Sequence, residues 1–339
     1  MIINSIIFFI FILIAHSICK KFNFFLDEKD HDHKKFASNQ KNYFVGGIFI
    51  ALVLIYDFVE QKDYLYGLFF LSIFIIGLFA DFKLFNNPKL RLLAQISILI
   101  FFVYFLDIKI PSTRIEIIDI LFENDFINYS FTVFCLAILI NGGNFVDGIN
   151  TLLINYYIII LGLILFFLED VNIDQYFVIN LFSLLIIILL FNVFGQIILG
   201  DSGAYILSLF VGLILIELSN ENNFISPYFI ILLIWYPCFE LLFSMTRRLM
   251  LNFYSYEPDT MHLHQMILRI ISNNLKLKSN NLNHFLAASI INLYNLFILM
   301  ISLNYNDKTN IMLVVIAINI TVYISIYFVL KKKLKLVQS

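Results

Sequence analysis

Three carboxylates stand where long apolar runs of this 339-residue chain break. They are Asp81 in GLFADFKLFNNPKLRLLAQ (77–95), Asp147 in NGGNFVDGIN (141–150) and Asp201 in FGQIILGDSGAYILSLF (194–210). Carboxylate and Asn oxygens brought together are the hard ligands that Mg2+ or Mn2+ prefers. The spacing of Asn141, Asn144 and Asp147 sets polar groups three residues apart, on one side of a helix end. Gly142, Gly143, Gly148, Gly200 and Gly203 allow a ligand to approach the backbone closely. A helix opening at GDSG would offer unpaired N–H groups and a positive dipole end to an anion. A fourth stretch, RRLMLNFYSYEPDTMHLHQMILR (247–269), adds Arg247, Arg248, His262 and His264, and Lys89 lies in the first. Each piece also has a plain structural reading. NGG and DG are turn dipeptides, GDSG can start a helix with Asp or Ser as cap, and two His two residues apart are more often surface groups than ligands.

The elements that must position these residues follow from composition. Of the residues, 61% are hydrophobic and 14% charged, with a mean hydropathy of +0.89; a soluble domain is charged at about 25% of its positions. Apolar runs of the length a bilayer demands recur throughout, and stretches such as IIFFIFILIA lack the alternation of a barrel strand. The sequence therefore predicts an all-α polytopic membrane protein, a single domain over 1–339, with eleven spans. They fall at 1–19, 43–60, 64–80, 91–106, 130–141, 151–169, 176–192, 204–219, 226–244, 285–303 and 310–330. Alternation puts the loops 20–42, 81–90, 142–150, 193–203 and 245–284 and the tail 331–339 on one face. Eighteen of the 22 Lys and Arg lie there, and the other four (Lys62, Lys109, Arg114 and Lys308) lie opposite. By the positive-inside rule that face is cytoplasmic, with the N-terminus outside and the C-terminus inside. Lys20 and Lys21 follow the first apolar run, so it is expected to remain as a span and not to be cleaved as a signal peptide. Cys19, Cys135 and Cys238 are scattered in or beside apolar runs and imply no disulfide framework. The 107–129 segment is expected to be a small element on the outer face, without assigned chemistry.

Taken together and in this order, the motifs resemble those of the polyprenyl-phosphate N-acetylhexosamine-1-phosphate transferase family. Asn141, Asn144, Asp147 and Gly148 match its Asn-x-x-Asn-x-x-Asp-Gly pattern, and Gly200 to Gly203 its Gly-Asp-Ser/Thr-Gly. Asp259, His262 and His264 meet part of its His loop. The chain departs from the family at Ala80, where a paired Asp precedes Asp81, and at Gln265, where the last His of the signature stands. The first loop keeps Asp27, Lys34, Lys35, Gly46 and Gly47 but lacks the usual Pro and a His nearer the glycines.

The resemblance implies transfer of a sugar-1-phosphate, an N-acetylhexosamine-1-phosphate, from a UDP-sugar to undecaprenyl phosphate with release of UMP. That reaction would open cell-surface polysaccharide synthesis, of O-antigen or similar type, at the cytoplasmic face of a bacterial inner membrane. With Mg2+ (or Mn2+) as cofactor, Asp201 would be the leading metal ligand and Asn144 would stand beside it. Asp147 would position the donor or complete the metal shell, and Asp81 would orient or deprotonate the lipid phosphate. Asn141 would contact substrate. His262 and His264 would hold the diphosphate, and Arg247, Arg248 or Lys89 would contact phosphate. The implied partners are UDP-N-acetylhexosamine, undecaprenyl phosphate and membrane lipid, with no nucleic acid; a homodimer stays open. Two competing readings remain: a transporter or lipid flippase, and an inactive relative with a scaffolding role. A transport path calls for polar residues at mid-span and usually for internal repeats, and here the carboxylates cluster at span ends with no repeat in view.

Overall fold

The computed structural model describes residues 2–26, 42–168, 175–250, 261–275 and 279–338. Among them all regular structure is helical, apart from isolated bridges that join Tyr43 to Leu26 and to Ile197. The first half of the chain forms α1 (Ile2–Phe22), α2 (Gly46–Glu60), α3 (Tyr64–Asp81), α4 (Pro88–Phe105), α5 (Glu116–Phe122), α6 (Asp125–Val146) and α7 (Leu152–Phe166). The second half forms α8 (Gln175–Val193), α9 (Gly200–Glu221), α10 (Pro227–Leu233), α11 (Trp235–Met250), α12 (Leu263–Leu275), α13 (Asn280–Leu303) and α14 (Thr309–Gln338).

Each of the eleven predicted spans coincides with a helix, except the ninth, which is the pair α10 and α11 bent by 75°. Among the described residues seven helices (α3, α4, α6, α8, α9, α13 and α14) are long and apolar enough to cross a bilayer, and the bent pair would make eight. The chain is an all-α, polytopic integral membrane protein.

α9 is the axis of the bundle. Within its most apolar stretch 83% of residues are buried, against 17% in α14 and 22% in α4, which turn most of their surface to lipid. Neighbours reach α9 through glycine. A Cβ at Gly77 of α3 would run into the Ser202 backbone, one at Gly47 of α2 into Gly203, and one at Gly143 of α6 into Ser208. Where tails offer no hydrophobic drive between helices, such close backbone approach supplies van der Waals contact.

The structure corrects the expected turn at 141–150. The helix of α6 runs on to Val146, so Asn141 and Asn144 are helical and the chain turns only from Asp147. Gly142 and Gly143 serve packing: a Cβ on the first would strike the Pro237 carbonyl of α11. The turn proper is held from outside. Asn192 accepts the Thr151 N–H and donates to the Ile197 carbonyl at 2.7 Å, and His284 Nδ1 accepts the Asn150 N–H at 3.3 Å.

At the opposite end of the bundle the 107–129 segment does form a small element, α5. Arg114 bolts it down. Its guanidinium donates to the carbonyls of Asn223, Phe224, Ile225 and Asp307 and to Thr309 Oγ1, at 2.8 to 3.1 Å.

Candidate functional site

The site is built outward from the start of α9. Gly200 has φ +72°, a left-handed conformation open to glycine, and a Cβ there would lie 2.7 Å from both Asp81 oxygens. Asp81, the last residue of α3, accepts from the Asp201 N–H at 2.7 Å, the Ser202 N–H at 3.1 Å and the Ser202 hydroxyl at 2.6 Å. The expectation that GDSG offers open N–H groups to an anion is thus corrected. No residue of α9's own run caps it; a carboxylate from another helix does so, favoured by the positive end of the dipole.

With its backbone so fixed, Asp201 turns its side chain outward. Arg91 Nη1 meets Asp201 Oδ2 at 2.5 Å, with the side chains 22% and 29% exposed, and the Tyr205 hydroxyl lies 3.5 Å away. Arg91 was not singled out in the sequence, although it stands in the quoted PKLRLLAQ run. One turn along α4, buried Gln95 accepts from Asn141 Nδ2 at 3.0 Å, and the same amide donates to the Ala137 carbonyl at 2.8 Å. One face of α4 therefore links Asp201 to the end of α6. Asn144, one further turn on, is half-buried and its amide takes no hydrogen bond among the described residues. Asp147 follows as the α6 C-cap.

Beyond the turn lie the histidines. A Cβ on Gly148 would sit 3.2 Å from His264 Nε2, a buried nitrogen without a hydrogen-bond partner. His264 Nδ1 lies 3.4 Å from the Tyr236 hydroxyl. Burial pushes the His264 imidazole down to about 3; the Glu240 charge opposes this and the neighbouring His262 adds to it. His264 is therefore neutral at physiological pH. His262 stacks on His264 with centroids 5.4 Å apart, lies 5.2 Å from the Phe145 ring, and pairs through Nδ1 with Glu240 at 2.9 Å.

The three cationic candidates are placed differently. Lys89 is exposed in the first turn of α4. Arg248 is buried. Arg247 is spent on architecture, donating to the Met261 carbonyl at 2.7 Å, to Tyr327 and to Ser244, and so joining α11 to α12 and α14. Asp27, Lys34, Lys35 and Asp259 lie outside the described residues.

Among the described residues no group of three or more His, Cys, Asp or Glu side chains is placed to cage a metal ion. The donors present, Asp201 with Asn144 and Asp147, suit a hard cation that takes one or two carboxylates and fills its shell with substrate phosphates and water.

A family model described as "Glycosyl transferase family 4" matches residues 64–219, which include Asp81, Arg91, Asn141, Asn144, Asp147 and Asp201 but stop short of the histidines. Undecaprenyl-phosphate alpha-N-acetylglucosaminyl 1-phosphate transferase of Thermotoga maritima is 24% identical over 240 residues, which span 67% of this chain and 68% of that protein.

Proposed function

We propose that the chain is a polyprenyl-phosphate N-acetylhexosamine-1-phosphate transferase of the glycosyl transferase family 4 type, and that it moves an N-acetylhexosamine-1-phosphate from a UDP-sugar to undecaprenyl phosphate. An oxygen of the lipid phosphate bonds to the sugar-bearing phosphorus as the bond to UMP breaks, and UMP leaves. Both substrates are anions, so holding their charges together is the main demand on the protein. The observation that carries this reading is the arc of Asp201, Arg91, Asn141, Asn144, Asp147 and the His pair around one end of the bundle.

In this reading Asp201 and Asn144 hold Mg2+, and Asp147 completes the shell or orients the donor. The ion, when bound, would neutralise the diphosphate and ease departure of UMP. Arg91 shares Asp201 in the resting state and is free to trade that partner for a substrate phosphate. Asp81 acts by fixing the start of α9, since its oxygens are already committed to backbone and hydroxyl donors. The arc faces the cytoplasm of a bacterial inner membrane, where the bias of Lys and Arg lies and where UDP-sugars are available. The reaction would be the first membrane step of a cell-surface polysaccharide.

Substitution is the test. In membranes with saturating Mg2+, Asp201→Ala and Asn144→Ala are each expected to cut UMP release by about a hundredfold or more. Wild-type rates in both would refute the assignment.

A further inference from the structure

Glu240 lies in the apolar run WYPCFELLF, inside α11, and is 1% exposed. A carboxylate buried at such a place is expensive unless it is fully partnered. Its Oε1 accepts from the Leu263 N–H at 3.4 Å and meets His262 Nδ1 at 2.9 Å, while Oε2 accepts from the Tyr323 hydroxyl at 2.7 Å. Because both oxygens are used as acceptors, the shared proton on the His262 side belongs to Nδ1. The ring is held on its faces as well, by His264 and by Phe145, the residue between Asn144 and Val146. Nε2 is then the ring nitrogen of His262 with no partner among the described residues.

We propose that Glu240 is the positioning residue for His262, fixing the ring so that Nε2 meets the diphosphate of the nucleotide-sugar donor. The inference rests on the donor-binding reading given above. A phosphate oxygen bonded at Nε2 needs a proton there, so the ring in the complex carries protons on both nitrogens. Glu240 offsets the charge so formed inside an apolar wall, and Tyr323 holds the carboxylate toward the ring from α14. The effect falls on the donor, because the triad reaches substrate through His262 alone in this reading.

The test uses full-length protein in lipid nanodiscs, with UDP-N-acetylglucosamine and undecaprenyl phosphate as substrates. Glu240→Gln keeps the shape and removes the charge. It is expected to raise KM for the donor about tenfold and to leave KM for the lipid acceptor within about twofold. His262→Asn should do the same, and the double variant should be no worse than either single one, as for residues acting as one unit. Unchanged donor KM, equal increases for both substrates, or full additivity with His262→Asn would overturn the proposal. Should Glu240→Gln not yield monodisperse protein, Glu240→Asp, which keeps the charge and shortens the reach, must still raise donor KM. A wild-type protein that releases no UMP would count against the proposed reaction instead. Calorimetric binding of the UDP-sugar, which needs no turnover, must then still weaken about tenfold in Glu240→Gln. Equal affinity would refute the role of Glu240.

Discussion

At Gly200 the left-handed backbone and the Asp81 carboxylate leave no room for a side chain. Gly200→Ala therefore meets strain and a clash together, and is expected to lose about 1–3 kcal/mol of stability, read as a lower thermal midpoint in detergent. Asp81→Asn keeps the size of the group but removes the charge and turns an N–H toward a backbone N–H of Asp201 or Ser202, so about 1–3 kcal/mol is expected to go there too. An unchanged midpoint in Asp81→Asn would mean that the cap does not hold α9. His264 predicts a pH effect. Its folded value of about 3 lies below the ordinary 6.5, so only the unfolded chain takes the proton as pH falls through 6.5. Stability present above 6.5 is thus lost progressively toward 3. Between pH 7 and 5.5, His264→Gln should therefore lose less thermal midpoint than wild type.

Among elements, α9 and the outer clamp carry different loads. Arg114 ties three segments through carbonyl oxygens far from the arc. Arg114→Ala is expected to cost about 1–3 kcal/mol in detergent with KM for both substrates unchanged; a shift in donor KM would show that the two ends are coupled. The helices themselves were legible in the sequence because apolar run length is a strong signal in a chain that spans a bilayer. The end of α6 was not. Gly142, Gly143 and the Asn residues have turn propensity, and only the closeness of Pro237 and Ser208 explains why they sit in a helix. The bend between α10 and α11 was hidden for a similar reason: the run across it is apolar on both sides. Within the site, Asp81, Asp147 and Asp201 announced themselves by interrupting apolar runs. That Asp81 caps α9 could not be read, since the partners are 120 residues apart. Arg91 and Glu240 were missed because the meaning of each charge lies in a partner on another helix.

For the whole molecule, the described contacts put the ends of α3, α6 and α8 and the starts of α2, α4, α7, α9 and α13 together, as an up-and-down bundle requires. The bias of 22 Lys and Arg toward that end orients it to the cytoplasm in the proposed topology. Single Cys at Asn86 and at Glu123, both exposed in loops at opposite ends, test this in intact cells. An impermeant maleimide should label Glu123→Cys and spare Asn86→Cys until the membrane is opened; the reverse pattern would invert the topology. The proposed reaction itself is tested most directly by UMP release. Purified protein in nanodiscs with undecaprenyl phosphate and Mg2+ is offered a panel of UDP-N-acetylhexosamines. Release of UMP from at least one of them, dependent on the lipid phosphate and abolished in Asp201→Ala, is the expected result. No UMP from any donor, or UMP release that survives loss of Asp201, would contradict the proposed function.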